Sequence, residues 1–176
     1  VGGANLDWMK QNFGDSFARW YFEYHWNDPS RVDAAMVGAL GEDADIAVLH
    51  FVEVDRAGQA NQGSYLEAAE ALSRRLTALL AQIDLRNDVV IITSDHGHAH
   101  HTGGYGGAKP AVTTVPFAMA GRGVLRQGSA AWRPASIGAV GTTISALLGI
   151  QWANDMVEPP LWDHLDPAIL GAPYLA

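Results

Sequence analysis

The chain contains no cysteine, which excludes disulfide staples and thiolate metal sites. Any metal must therefore be held by oxygen and imidazole donors. It has no apolar run approaching the roughly 20 residues that a membrane-crossing helix needs. Its first residues, VGGANLDWMK, lack the charged-then-apolar layout of a signal peptide. The sequence therefore reads as soluble, and neither a cytoplasmic nor an exported location is selected by it. Basic residues are scarce, 11 Lys and Arg against 19 Asp and Glu, giving a formal net charge of −8. That balance argues against nucleic acid or an anionic membrane as main partner, because both select basic patches. A small anionic substrate stays compatible if a metal ion or a local dipole supplies the positive charge. Repeats and low-complexity segments are absent. So is an initial methionine, which leads us to expect a processed product or a piece of something longer.

What is present suits one domain over residues 1–176, with 48% hydrophobic residues to fill a core. We divide it into a helical lead-in (1–43), a sheet core (44–150) and an irregular tail (151–176). Aromatic and apolar residues at Trp8, Met9, Phe13, Phe17, Trp20 and Tyr24 follow helical spacing and predict a helix over Leu6–Trp26. A second helix is expected over about Ser30–Leu40, started by Asp28 or Pro29 and stopped by Gly41. The run Asp45–Val54, DIAVLHFVEV, is apolar at nearly every position and predicts a strand covered on both faces, with His50 as a core histidine. Arg56–Gly63 reads as a loop. Ser64 and Glu67 have the spacing of a capping box that opens a helix with an apolar stripe from Leu66 to Ile83 and with Arg74 and Arg75 pointing outward. A second buried strand, Val89–Thr93, would complete a parallel strand–helix–strand crossover. Val115–Ala120 reads as a short edge strand and Ser136–Leu148 as a helix stopped by Gly149, followed by a proline-rich tail draped over the surface.

The stretch from Val89 to Gly107, VVIITSDHGHAHHTGGYGG, concentrates the chemistry: an apolar run ends in Asp95-His96, and four of the chain's seven histidines lie between His96 and His101. If the Asp45–Val54 and Val89–Thr93 strands are neighbours, Asp55 and Asp95 converge at their tips, where open α/β sheets place their sites. A carboxylate pair and an imidazole suit zinc, manganese or a similar divalent ion. Asp95 capping a turn and His96 as a hydrogen-bonded loop residue is the structural alternative.

A series of blocks then carries a family resemblance. Asp55-x-x-Gly58, a helix with Ser64 and Ala68, Thr93-Ser94-Asp95-His96-Gly97, Gly103-Gly104-x-Gly106-Gly107, Val115-Pro116-Phe117, Gly121-x-Gly123-Val124 and Thr142–Gly149 occur in this order. Together they resemble the C-terminal part of the catalytic domain of the alkaline phosphatase superfamily, on its type I phosphodiesterase/nucleotide pyrophosphatase and cofactor-independent phosphoglycerate mutase side. The resemblance implies a three-layer α/β/α sandwich with a mainly parallel sheet, incomplete in this chain. It also implies two-metal hydrolysis of a small phosphate ester or diester.

In that pattern one metal takes the Asp of a D-x-x-G-H word, its His and a later His in G-G-H-G-G. The other takes the Asp-His pair, a further Asp and a Ser or Thr nucleophile near the N-terminus. Asp55, Asp95 and His96 match as metal ligands, zinc being the first choice. Gln59 and Tyr105 stand where the two histidines of the first metal are expected, and nothing before Asp45 resembles the opening strand. The nucleophile is therefore expected outside this chain, in a missing N-terminal part of the domain. A weakened Asp55 site follows, unless His98, His100 or His101 substitutes. The alternative is a non-catalytic relative that kept the scaffold for binding.

Overall fold

The computed structural model describes residues 29–41, 44–60, 64–99, 104, 106–128 and 133–170. The expected Leu6–Trp26 helix lies outside them, as do His100, His101 and Tyr105. Contacts gather into two compact units: residues up to Ile83 with Ser94–Val115, and Asp84–Thr93 with the residues from Pro116 onward.

The first unit is helical. Helix α1 runs Pro29–Leu40 and closes where the Gly41 amide donates to the carbonyls of Val37 (3.2 Å) and Gly38 (3.1 Å). Helix α2 spans Glu53–Ala60 and helix α3 spans Tyr65–Leu80; α3 packs against both α1 and α2. The short helix α4, Pro110–Thr113, sits beside the Ser94–Ala99 segment, where the Gly97 amide donates to the Val112 carbonyl at 2.8 Å.

The expected Asp45–Val54 strand is not there. Residues 46–52 have no regular structure, and Val48 is 78% exposed. An apolar run becomes a strand only when a neighbour takes its backbone N–H and C=O groups, and no ladder pairs this segment among the described residues. His50 is exposed rather than a core residue. From Glu53 onward the chain prefers a helix, whose first turn carries Glu53 and Asp55 at its electropositive end. The expected loop from Arg56 is thus helical as far as Ala60.

Helix α3 begins at Tyr65 with Ser64 as its N-cap, but the Ser64 side chain makes no cap hydrogen bond, so the expected capping box does not form. Arg75 does not point outward. Its guanidinium donates to both oxygens of Asp33 on α1 (2.7–3.1 Å) and to Glu53 at the start of α2, with the Phe51 ring 5.5 Å beneath it. Burial works against the charge, but the hydrogen bonds that Arg75 donates to Asp33 and Glu53 outweigh it and raise the Arg75 pKa above its ordinary value. One side chain thereby ties three helices together.

The second unit holds strands β1 (Val89–Thr93) and β2 (Phe117–Gly121), paired antiparallel with Ile91 opposite Met119. The predicted strand positions hold, yet the only ladder among the described residues is this two-stranded one, so the chain is a mixture of helices and a small antiparallel sheet. The expected parallel crossover is not formed, because its first strand is absent. Pro116, which has no N–H to give, stays just outside β2, and its carbonyl accepts from the Thr93 hydroxyl at 3.1 Å. Gly121 has φ of +121°, and a Cβ there would overlap the Asp88 backbone, so the end of β2 beside the start of β1 needs glycine.

Helix α5 covers Ala139–Leu148 and ends at Gly149 in the left-handed conformation, φ +69°. Over its described residues, 151–170, the proline-rich tail is mostly irregular, with one 3-10 turn at Trp162–His164, but it is not merely draped over the surface. Leu165, 1% exposed, and Leu170 form a core cluster with Ala146 of α5, against which Met119 and Leu147 pack. Truncating Leu165 to alanine would cost about 2–5 kcal/mol by leaving a cavity there.

Candidate metal centre

The candidate site lies within the first unit. Asp55 sits in the first turn of α2. One carboxylate oxygen, Oδ2, accepts a hydrogen bond from the Gln59 amide one turn later, at 2.8 Å. The other, Oδ1, lies 3.0 Å from His98 Nε2 and 3.9 Å from His96 Nε2. These three ligand atoms lie within 4.8 Å of one another.

Each imidazole is held from behind. His96 Nδ1 is 3.0 Å from the Gly97 carbonyl, which can only accept, so that nitrogen carries the proton. In the neutral ring the lone pair then belongs to Nε2, which faces Asp55 at 3.9 Å and Asp95 Oδ2 at 3.7 Å. A backbone carbonyl fixing the tautomer is the usual support of a metal-binding histidine. His98 packs edge-on to His96 (ring centroids 5.5 Å) and to Tyr65 (5.6 Å), the first residue of α3. Its ring also fills the space over Gly58, where a Cβ would meet ring atoms at 2.7 Å. Gly58 is buried for this reason, and it explains a helix-weakening glycine in the middle of α2.

Gly97, between the two histidines, has no room for a side chain either, since a Cβ would overlap the Ala111 carbonyl oxygen. The loop is closed further on by the Ala99 amide donating to the Gly104 carbonyl at 2.7 Å. Ser94 donates through its hydroxyl to the His96 carbonyl at 2.6 Å. These backbone ties hold the Asp95–Ala99 segment in one shape without any strand of its own.

Of the three ligands expected from the sequence, Asp55 and His96 are brought together, though Asp55 arrives on a helix rather than at a strand tip. Asp95 faces His96 Nε2 at 3.7 Å rather than joining the triad, accepts from the His96 backbone amide at 3.0 Å, and its side chain is 77% exposed. His98 enters the triad as one of the three substitutes considered, although its sequence neighbourhood does not distinguish it from His100 and His101. The signal that does is spatial: glycine at position 58 opposite an imidazole.

The donor set suits a divalent ion. A carboxylate oxygen and two imidazole nitrogens, one with its tautomer already fixed, converge on a common point, and three protein ligands leave room for an exogenous one. A model of the metalloenzyme superfamily matches residues 15–151, more than half of the chain. The chain belongs to the metalloenzyme superfamily. That membership agrees with a divalent-metal site and with an α/β chain related to the alkaline-phosphatase-like enzymes. Searches of curated proteins and of solved structures return no match. The superfamily match spans all of the triad and its supports, from Asp33 on α1 to Val112 on α4. No helix among the described residues is long and apolar enough to cross a membrane.

Proposed function

We propose that Asp55, His96 and His98 bind one divalent transition-metal ion, zinc in the first instance, and that the intact protein uses it to hydrolyse a small phosphate ester or diester. The observation that carries this reading is the convergence of the three donor atoms within 4.8 Å. A bound ion would supply Lewis-acid stabilisation of charge on a phosphoryl oxygen.

The chain's own residues then divide the work. Asp55 supplies the anionic oxygen, and Gly97 holds His96 with Nε2 toward it. His98, whose Nε2 donates to Asp55 at 3.0 Å, would give up that contact and its Nε2 proton to solvent, keeping the ring neutral through Nδ1–H, in order to hold the ion. Asp95, expected as a ligand from the sequence, adds negative charge beside His96 from outside the three-donor set. The nucleophile, by the family resemblance, comes from outside this chain.

The test is metal content of the purified protein by mass spectrometry, followed by zinc and manganese titration and an assay with p-nitrophenyl phosphate and its bis ester. We expect about one ion per chain in the wild type, loss of it in Asp55→Asn and in His98→Ala, and turnover that requires added metal. No binding of either ion would overturn the proposal. Gln59 in the position of an expected histidine favours a second reading, a relative that holds the ion without turning over substrate. Stoichiometric metal with no hydrolysis of either ester by the intact protein would select it.

A further inference from the structure

The two oxygens of Asp55 are not equivalent. Oδ1 faces both imidazoles, at 3.0 and 3.9 Å, whereas Oδ2 is turned to the Gln59 amide at 2.8 Å. Asp55 and Gln59 are four residues apart on α2, so one helical turn presents the donor directly to the carboxylate. Gln59 therefore does something other than fail to be a histidine. An amide N–H engaged with Oδ2 takes one of that oxygen's lone pairs and fixes the rotation of the carboxylate, so that Oδ2 competes less well for a cation than Oδ1.

We infer that Gln59 is a positioning residue that restricts Asp55 to ligation through a single oxygen, and thereby keeps the site small and selective for ions content with four ligands. This rests on the metal-binding reading of Asp55, His96 and His98. Carboxylates with both oxygens free bind in two-oxygen fashion to larger, oxygen-seeking ions that take six or more ligands, such as calcium. Zinc and cobalt are served by one carboxylate oxygen, two imidazoles and one further ligand. Partners that orient a ligating carboxylate typically account for 10–100-fold in metal affinity. Gln59 itself is exposed, and its amide is engaged with Asp55.

Cobalt(II) is the probe, because its visible spectrum distinguishes four-coordinate from higher-coordinate sites independently of any activity. The full chain is titrated with cobalt chloride, and with zinc and calcium chloride in parallel, as wild type, Gln59→Met and Gln59→Lys. The methionine variant keeps the length and removes the donor; the lysine variant returns an N–H donor on a longer, charged side chain. We expect the wild type to give the intense four-coordinate band. Gln59→Met should give a weaker, higher-coordinate spectrum, a zinc Kd raised about tenfold and a narrowed preference for zinc over calcium, with an unchanged melting temperature for the metal-free protein. Gln59→Lys should retain the four-coordinate band.

A methionine variant with the wild-type spectrum and wild-type zinc Kd would overturn the role of Gln59 while leaving the metal site standing. A lysine variant that matches the methionine variant would overturn it as well. A wild type that binds no cobalt or zinc overturns the site itself, and this inference with it.

Discussion

At the scale of single residues, the candidate site depends as much on missing side chains as on present ones. His98 stands where it does because Gly58 leaves a hollow in α2 that its ring fills, with 2.7 Å to a would-be Cβ. Gly58→Ala should raise intrinsic helix stability by about 0.5–1 kcal/mol while pushing His98 off the triad. The expected outcome is therefore a protein of similar melting temperature whose zinc Kd is at least tenfold weaker, measured by calorimetric titration. Equal affinity in that variant would mean that His98 does not depend on its seat. Gly97 differs, because the atom it would strike is backbone rather than a ring able to move. Gly97→Ala should lower stability by about 1–3 kcal/mol and disturb both histidines at once, visible as loss of metal binding together with a lower thermal midpoint.

At the scale of elements, α2 is where pattern and structure part company. The helices at Pro29–Leu40, Tyr65–Leu80 and Ala139–Leu148 and the strands at Val89–Thr93 and Phe117–Gly121 follow breakers and periodicities that the sequence carries locally. Asp45–Val54 carries no such information. A fully apolar run is read as a strand on the assumption of partners, and partners are a property of the rest of the chain. Asp55 and His96 are legible through the order of motif blocks, whereas a helix stripe identifies the apolar face only and so sends Arg75 to solvent. It cannot show that carboxylates of two other elements capture a polar residue on its border.

The Arg75 contacts lead to a prediction of their own. Arg75→Met would leave Asp33 and Glu53 half-buried without their shared cation, and Glu53 Oε2 already lacks a hydrogen-bond partner among the described residues. The cost should be about 1–3 kcal/mol, or roughly 2–10 °C in melting temperature for a chain of this size. Arg75→Lys keeps the charge, loses the two-pronged contact with Asp33, and should fall between the two. A thermal melt monitored by circular dichroism checks the order.

Asp84, in the turn before β1, gives the pH counterpart. Its hydrogen bonds from the Arg86 side chain and backbone, and then from Asn87, lower its pKa below the ordinary carboxylate value. A folded-state pKa below the unfolded one means that the contribution is present above the unfolded value and is lost as pH falls through the folded one. Asp84→Asn should therefore reduce stability at neutral pH by a small, salt-sensitive amount and make no difference at strongly acid pH. Denaturant melts at the two pH values, with and without salt, would show it.

At the scale of the whole molecule, metal binding should act as a clamp on the helical unit, since every member of the triad belongs to it. Zinc at about one hundred times its Kd would add roughly 2.7 kcal/mol to the stability of a state that binds it. That corresponds to roughly 5–10 °C in melting temperature, reversed by a chelator. If the transition resolves into two steps, only the step assigned to the first unit should move. A shift shared equally by both would show that they melt as one. The net charge of −8 also favours uptake of a divalent cation over an anion at long range, an attraction that rising salt should weaken.

The hollow over Gly58 has a further consequence, for how relatives of this chain are to be found. An imidazole can reach the neighbourhood of Asp55 by two routes, from position 59 along the helix or from position 98 across the loop. A search for the contiguous word D-x-x-G-H sees only the first. In chains that use the second, the telling pair is a glycine three residues after the aspartate and a histidine two residues after the Asp-His pair, far apart in sequence and coupled in space. The two positions should change together: a bulkier residue at 58 is compatible only with a chain whose histidine comes from elsewhere. Some sequences that seem to have lost a ligand will therefore prove to have moved it.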